Sequence, residues 1–110
     1  MKKSLSVIAL LLLLCSPVFS QTPDLNETRR FAEQGIAGAQ YNLGLMYANG
    51  EGVPQNHARA YLWFSMAAAQ GNEGASEMRD LTSEKLTTEA LNNAQQLARR
   101  CFDSGFKDCD

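Results

Sequence analysis

Residues 39–55 read Ala-Gln-Tyr-Asn-Leu-Gly-Leu-Met-Tyr-Ala-Asn-Gly-Glu-Gly-Val-Pro-Gln, and this stretch decides the fold. Its apolar side chains recur on one face at the helical spacing i, i+4, i+7 and i+8: Ala39, Leu43, Met46 and Tyr47. The pattern predicts a helix over about residues 37–48. Residues 49–54 then combine Asn, Gly and Pro, which end helices and form turns. A helix followed by a tight connection is therefore the first predicted unit.

Helical patterns also precede and follow this unit. Each begins at a residue whose side chain can cap a helix, and in the first one a proline follows where helices accept it. The predicted helices run from Thr22-Pro23 to near Gly35, from Asn56 to about Gln70, from Asn72 to about Leu81, and from Thr87 to about Phe102. No long stretch alternates with the two-residue period of a strand. The sequence therefore predicts an all-α fold.

The chain contains a short internal repeat, in which two similar segments lie 36 residues apart. Residues 32–39 read Ala-Glu-Gln-Gly-Ile-Ala-Gly-Ala, and residues 68–75 read Ala-Ala-Gln-Gly-Asn-Glu-Gly-Ala, with five of eight positions identical. A repeat of this length is typical of stacked helix pairs. The glycines of this internal repeat, Gly35 and Gly71, suit chain reversals that need a left-handed conformation.

Three sequence elements in order carry a resemblance to a known family. They are Leu-Gly at 43–44, Tyr-x-x-Gly-x-Gly-Val-Pro at 47–54 and Ala-x-x-Trp-Phe-x-x-Ala-Ala at 60–68. With them the stretch over about 31–80 closely resembles the Sel-1-like repeat, which is related to the tetratricopeptide class. The resemblance implies a short right-handed α/α solenoid of antiparallel helix pairs. It also implies the usual role of such repeats, which is to hold another protein on the curved surface.

Two departures from the repeat pattern shape the domain prediction. Ile36 stands where the repeat often has a polar cap, and after Ala75 the pattern stops, because Glu-Met-Arg-Asp replaces Tyr-Asn-Leu-Gly. The chain then holds one full repeat and half of another. Residues 81–110 are predicted to form a C-terminal capping helix and tail, which a solenoid needs at its open end.

The first twenty residues have the composition of a secretory signal peptide. Two lysines at positions 2 and 3 precede an apolar run at 7–14, and small residues lead up to Ser20. Cleavage near Ser20 predicts a mature chain of residues 21–110 in the periplasm or outside the cell. Cys15 follows Leu14, whereas lipoprotein processing prefers a small residue there, so a lipid anchor is the lesser alternative.

Two cysteines, Cys101 and Cys109, remain in the predicted mature chain. An even pair in an exported protein favours a disulfide, and two free thiols are the alternative. The spacing of eight residues matches neither a zinc-ligand pair nor a redox Cys-x-x-Cys motif.

Charge and residue counts exclude several functions. The chain has 10 Lys+Arg, 12 Asp+Glu and one His, with a formal net charge of −2, so we expect no nucleic-acid binding and no multi-histidine metal site. No second apolar segment can span a membrane in the mature chain. The Gly-x-Gly at 50–52 follows a helix and lacks the features of a nucleotide loop. His57, the only imidazole, is interpreted as a solvated residue at a helix start. No catalytic, cofactor-binding or metal-binding residue is predicted.

The helix around Trp63 is apolar on nearly every side. Trp63 and Phe64 are assigned to the core, but the remaining apolar surface must be covered by something. Two outcomes are open. Either the C-terminal helix covers that surface, or a partner binds it through Tyr61, Leu62, Ser65 and Met66.

These observations predict an exported module that binds a protein or peptide in the bacterial cell envelope. Two alternatives are open. The first is a hydrolase of cell-wall-type or β-lactam-like substrates, an activity that the resemblance associates with some cysteine-rich relatives and that would have to use His57 or a serine. The second is a structural unit that forms a homodimer through its apolar helix.

Overall fold

A computed structural model describes residues 24–110, which form five α-helices and no strand. The helices are α1 (Leu25–Glu33), α2 (Ala37–Asn49), α3 (His57–Ala69), α4 (Glu73–Ser83) and α5 (Thr88–Asp103). The predicted all-α fold is confirmed. Within the described part, no helix combines the length and the apolar character that crossing a membrane requires. The predicted signal peptide at 1–20 lies outside the described residues, as does the predicted helix start at 22–23.

Side-chain caps set three of the helix starts as predicted. Oxygens of Asn56, Asn72 and Thr87 each accept a hydrogen bond from the backbone N–H three residues later, at 2.9–3.1 Å. Helix α1 begins at Leu25, and the side chain of its cap residue, Asp24, accepts a hydrogen bond from the N–H of Asn26 at 3.2 Å. Helix α2 begins at Ala37, and Ile36 at its N-cap position forms no side-chain capping bond.

The two turns of the short internal repeat have the same geometry. Gly35 has φ +90° and Gly71 has φ +93°, a conformation that favours glycine. The N–H after each glycine donates to a carbonyl five residues earlier, from Ile36 to Phe31 and from Asn72 to Ala67, both at 3.1 Å. The repeated sequence thus closes α1 and α3 by the same hydrogen bonds.

Helix α3 is the centre of the fold. Helices α1 to α4 pack in sequence as antiparallel neighbours, and α5 packs against α3. Ala60, Leu62, Phe64 and Ala67 of α3 are completely buried. The apolar helix is therefore covered on most of its surface by α2, α4 and α5, and only its last residue, Ala69, is exposed.

A buried carboxamide links the first three helices. Gln40 of α2 is completely buried, and its Nε2 donates to the carbonyl of Ala32 in α1 at 3.0 Å. Its Oε1 accepts from Nε2 of Gln70, the C-cap residue of α3, at 2.7 Å. Both ends of the amide are satisfied, which removes the cost of burying it.

The tail after α5 folds back on the domain. Cys101 and Cys109 form a disulfide with their Cα atoms 4.4 Å apart, and both residues are buried. Between them, Phe106 has a positive φ of 67° and packs its ring against Gly35 in the turn between α1 and α2. The disulfide and this aromatic contact hold the tail, residues 104–110, against the repeat.

Candidate functional site

Three of the four side chains predicted to bind a partner are buried in the domain. Leu62 is 0% and Met66 3% exposed, and Tyr61 is also buried. Ser65 is half-buried, and its hydroxyl donates to the carbonyl of Tyr61 at 2.7 Å. Because α3 is packed against α2, α4 and α5, the buried residues can contact a partner only if a neighbouring helix moves or, for Met66, through a hollow at the helix ends. Their role in partner binding stays a prediction.

That hollow is a shallow apolar depression between α3 and α5. Its volume is about 210 Å³. It is lined by Met66, Ala69, Ala98, Arg99, Phe102 and Asp103. Phe102 is exposed and packs edge-on against Phe106, with ring centroids 6.0 Å apart. The depression offers contact area but only two charged groups at its rim.

A deeper hollow lies between α2 and α4, and we call it the α2–α4 hollow. Its volume is about 320 Å³. It is lined by Ala48, Asn49, His57, Met78, Leu81, Thr82, Glu84 and Lys85. Leu81 is 49% exposed, whereas Ala48 and Met78 are half-buried and pack against the core. The hollow therefore has an apolar floor and a rim of polar and charged side chains.

His57 is placed differently from the prediction. It is the first residue of α3, as expected, but its ring is half-buried in the wall of the α2–α4 hollow. Its Nδ1 atom is buried and has no hydrogen-bond partner. The nearby hydroxyl of Thr82 donates to the carbonyl of Met78 at 2.6 Å. Across residues 24–110, no group of three or more His, Cys, Asp or Glu side chains is arranged to hold a metal ion.

A third hollow gathers two arginines around one tyrosine, and we call it the arginine hollow. Its volume is about 560 Å³. It is lined by Arg29, Tyr47, Val53, Pro54, Asn56, Arg59 and Asp110. Arg29 Nη2 donates to the hydroxyl of Tyr47 at 2.9 Å, and Arg59 Cζ lies 5.8 Å from the centre of the same ring. Arg59 also forms an ion pair with Asp110 of the tail. Its hydrogen bond with Asp110 raises the pKa of Arg59 above its usual value, so the guanidinium stays charged.

The arginine hollow was not predicted from the sequence. Arg29 is separated from Tyr47 by 18 residues and Arg59 from Asp110 by 51, and no local pattern connects residues so far apart. Arg29 sits beside Arg30 on a short helix, which by itself is typical of a solvated face. One sequence feature indicated the α2–α4 hollow weakly: Leu81 is an apolar residue at the end of a predicted helix.

Comparison with known proteins gives one family. The family model described as Sel1 repeat matches residues 37–72, which contain α2, its connection, α3 and the cap of α4. Neither a curated protein nor a solved structure matches the chain.

Proposed function

Because residues 37–72 are a Sel1 repeat, a unit of a tetratricopeptide-like helical family, we propose that this chain binds a protein partner in the bacterial cell envelope. Repeats of this family are typically protein-interaction modules and generally non-catalytic adaptors. The proposed binding surface is the α2–α4 hollow. We infer that an apolar side chain of the partner fills it.

The exposure of Leu81 carries this proposal. A leucine that is 49% exposed leaves apolar area in water, and covering such area gains roughly 25 cal/mol per Å². Leu81 stands beside Met78 at the mouth of a hollow whose volume suits one or two side chains. Asn49, Glu84 and Lys85 surround this apolar centre, and an apolar core with a polar rim is the arrangement found in protein interfaces.

Two observations support the cell envelope as the location. The Cys101–Cys109 disulfide is stable in an oxidising compartment and rare in a reducing one. The predicted signal peptide at 1–20 would deliver the chain to such a compartment.

Photo-crosslinking in living cells tests the proposal. A photoreactive amino acid replaces Glu84 at the rim of the hollow, and the adducts are identified by mass spectrometry. We expect one adduct that disappears when Leu81→Asp is added, because moving the new carboxylate from water into an apolar contact costs free energy, whereas burying a leucine gains it. Asn93→Asp, on the exposed side of α5, adds the same charge and should leave the adduct unchanged.

Other results would overturn the proposal. An adduct that survives Leu81→Asp would place the partner elsewhere. An adduct of two copies of this chain would favour the homodimer, which light scattering of the purified protein would show independently. Turnover of a β-lactam or cell-wall substrate that is lost in His57→Ala would favour the hydrolase.

A further inference from the structure

The arginine hollow has the charge and geometry of a carboxylate-binding site. We propose that it binds an acidic segment of a partner protein, and that Asp110 occupies it in the free protein as an intramolecular competitor. The site lies away from the α2–α4 hollow: Tyr47 and Asn49 are two residues apart on α2, so their side chains point roughly 160° apart around the helix axis. The inference therefore does not depend on the surface proposed above.

Tyr47 holds both guanidinium groups in place. Its hydroxyl accepts from Arg29, and the face of its ring lies against Arg59. A guanidinium that is already oriented loses less freedom when it binds a carboxylate, and it offers paired N–H groups that match the two oxygens. Tyr47, which lies between the two arginines, is buried, so its own position is fixed.

The charges in the hollow are not balanced. Two arginines face it, and Asp110 is the one acidic residue in its lining. Within residues 24–110, the ion pairs of the structure include Arg59 but not Arg29. The side chains that line the hollow thus carry a net positive charge in a chain that is acidic as a whole, and a further carboxylate would complement Arg29.

Asp110 shows how a carboxylate is bound there and is also easy to displace. Its side chain is 69% exposed and that of Arg59 is 36% exposed, so solvent screens their attraction strongly. The ion pair forms because the Cys101–Cys109 disulfide and the contact of Phe106 with Gly35 keep the tail nearby. A partner segment with several carboxylates can engage both arginines, whereas Asp110 pairs with one.

Fluorescence polarisation of a labelled peptide tests the inference. The probe is an acetylated Gly-Asp-Asp-Asp-Gly peptide, compared with its Gly-Asn-Asn-Asn-Gly counterpart, on the oxidised protein at low and at moderate salt. We expect salt-sensitive binding of the aspartate peptide alone. Asp110→Ala should bind it several-fold more tightly, because the competitor is gone. Arg29→Gln and Arg59→Gln should each weaken it about tenfold or more.

Matched controls separate this site from general charge effects. Asp108→Ala removes the same charge from the tail but breaks the pair with Arg100, outside the hollow, and should leave affinity unchanged. Arg79→Gln, whose arginine pairs with Asp80 on α4, is the control for the two arginine variants. Circular dichroism of every variant confirms that the helices are retained.

Several results would overturn the inference. Equal tightening by Asp110→Ala and Asp108→Ala would show a non-specific effect of net charge. Tighter binding of inorganic phosphate or of an oligonucleotide than of the aspartate peptide would assign the hollow to another anion. Loss of peptide binding in Leu81→Asp would place the peptide in the α2–α4 hollow, while failure of the crosslinking experiment alone would leave this site unaffected.

Discussion

Gly44 of α2 lies directly against the ring of Phe64 in α3. A Cβ atom built on Gly44 would be 2.6 Å from both Cδ1 and Cε1 of that ring, closer than such atoms can approach. Phe64 is completely buried, so its ring has little room to move. The close approach of the two helices therefore depends on the missing side chain.

Gly44→Ala should destabilise the protein for this reason. We expect the free energy of unfolding to fall by about 1–3 kcal/mol, because the extra methyl group must push α2 and α3 apart. Gly38→Ala on the same helix is the control, since a Cβ there meets nothing within 4 Å. That variant should be unchanged or stabilised by up to about 1 kcal/mol. Urea denaturation measures both, and equal stabilities would contradict the packing argument.

Gln40→Ala should remove the link between the first three helices. The change removes two hydrogen bonds, one to the carbonyl of Ala32, which keeps its bond from the N–H of Gly35, and one from the exposed amide of Gln70, which water can reach. Each lost bond costs about 0.5–1.5 kcal/mol. Gln55→Ala is the control, because the bond from Gln55 Nε2 to the carbonyl of Ala48 is exposed and water can replace it. We expect a lower midpoint of thermal unfolding for Gln40→Ala only. Similar midpoints for the two variants would show that burial of the carboxamide does not matter.

Reduction of the disulfide should lower stability. Closing a short ring between Cys101 and Cys109 restricts the unfolded chain, a contribution of about 2–3 kcal/mol on a chain-entropy estimate. Denaturation with and without a reducing agent measures the loss. The double variant Cys101→Ala/Cys109→Ala is the control, since a reducing agent should not affect it. If the reduced wild type unfolds at the same denaturant concentration as the oxidised protein, the tail adds nothing to stability.

Thr87→Ala should weaken the start of α5. The hydroxyl of Thr87 accepts from the N–H of Ala90 at 3.1 Å, and loss of such a cap costs about 0.5–2 kcal/mol. Thr88→Ala removes a hydroxyl from the neighbouring position, where no capping bond forms, and should change stability by less than about 0.5 kcal/mol. Hydrogen exchange of the first-turn amides in α5 would locate the effect. Faster exchange in both variants would contradict the assignment of the cap to Thr87.

Much of the fold could be predicted because its signals are local. The caps at Asn56, Asn72 and Thr87 bond to N–H groups three residues away, so the sequence around each one contains both partners. The cap of α1 at Asp24 was not predicted, although it too is local, because its carboxylate accepts from the N–H of Asn26 two residues later. The burial of α3 followed from its apolar surface, but which element covers Leu62 and Met66 did not.

The sequence by itself determined the helices, the turns at Gly35 and Gly71, and the repeat, since these rest on interactions over a few residues. Tertiary structure alone decided that α5 covers α3, that His57 faces a hollow, and that Arg29, Tyr47, Arg59 and Asp110 meet. The physical reason is distance along the chain. Contacts between residues 18 or 51 positions apart form only when the packing of whole helices brings them together, and no local preference encodes that packing.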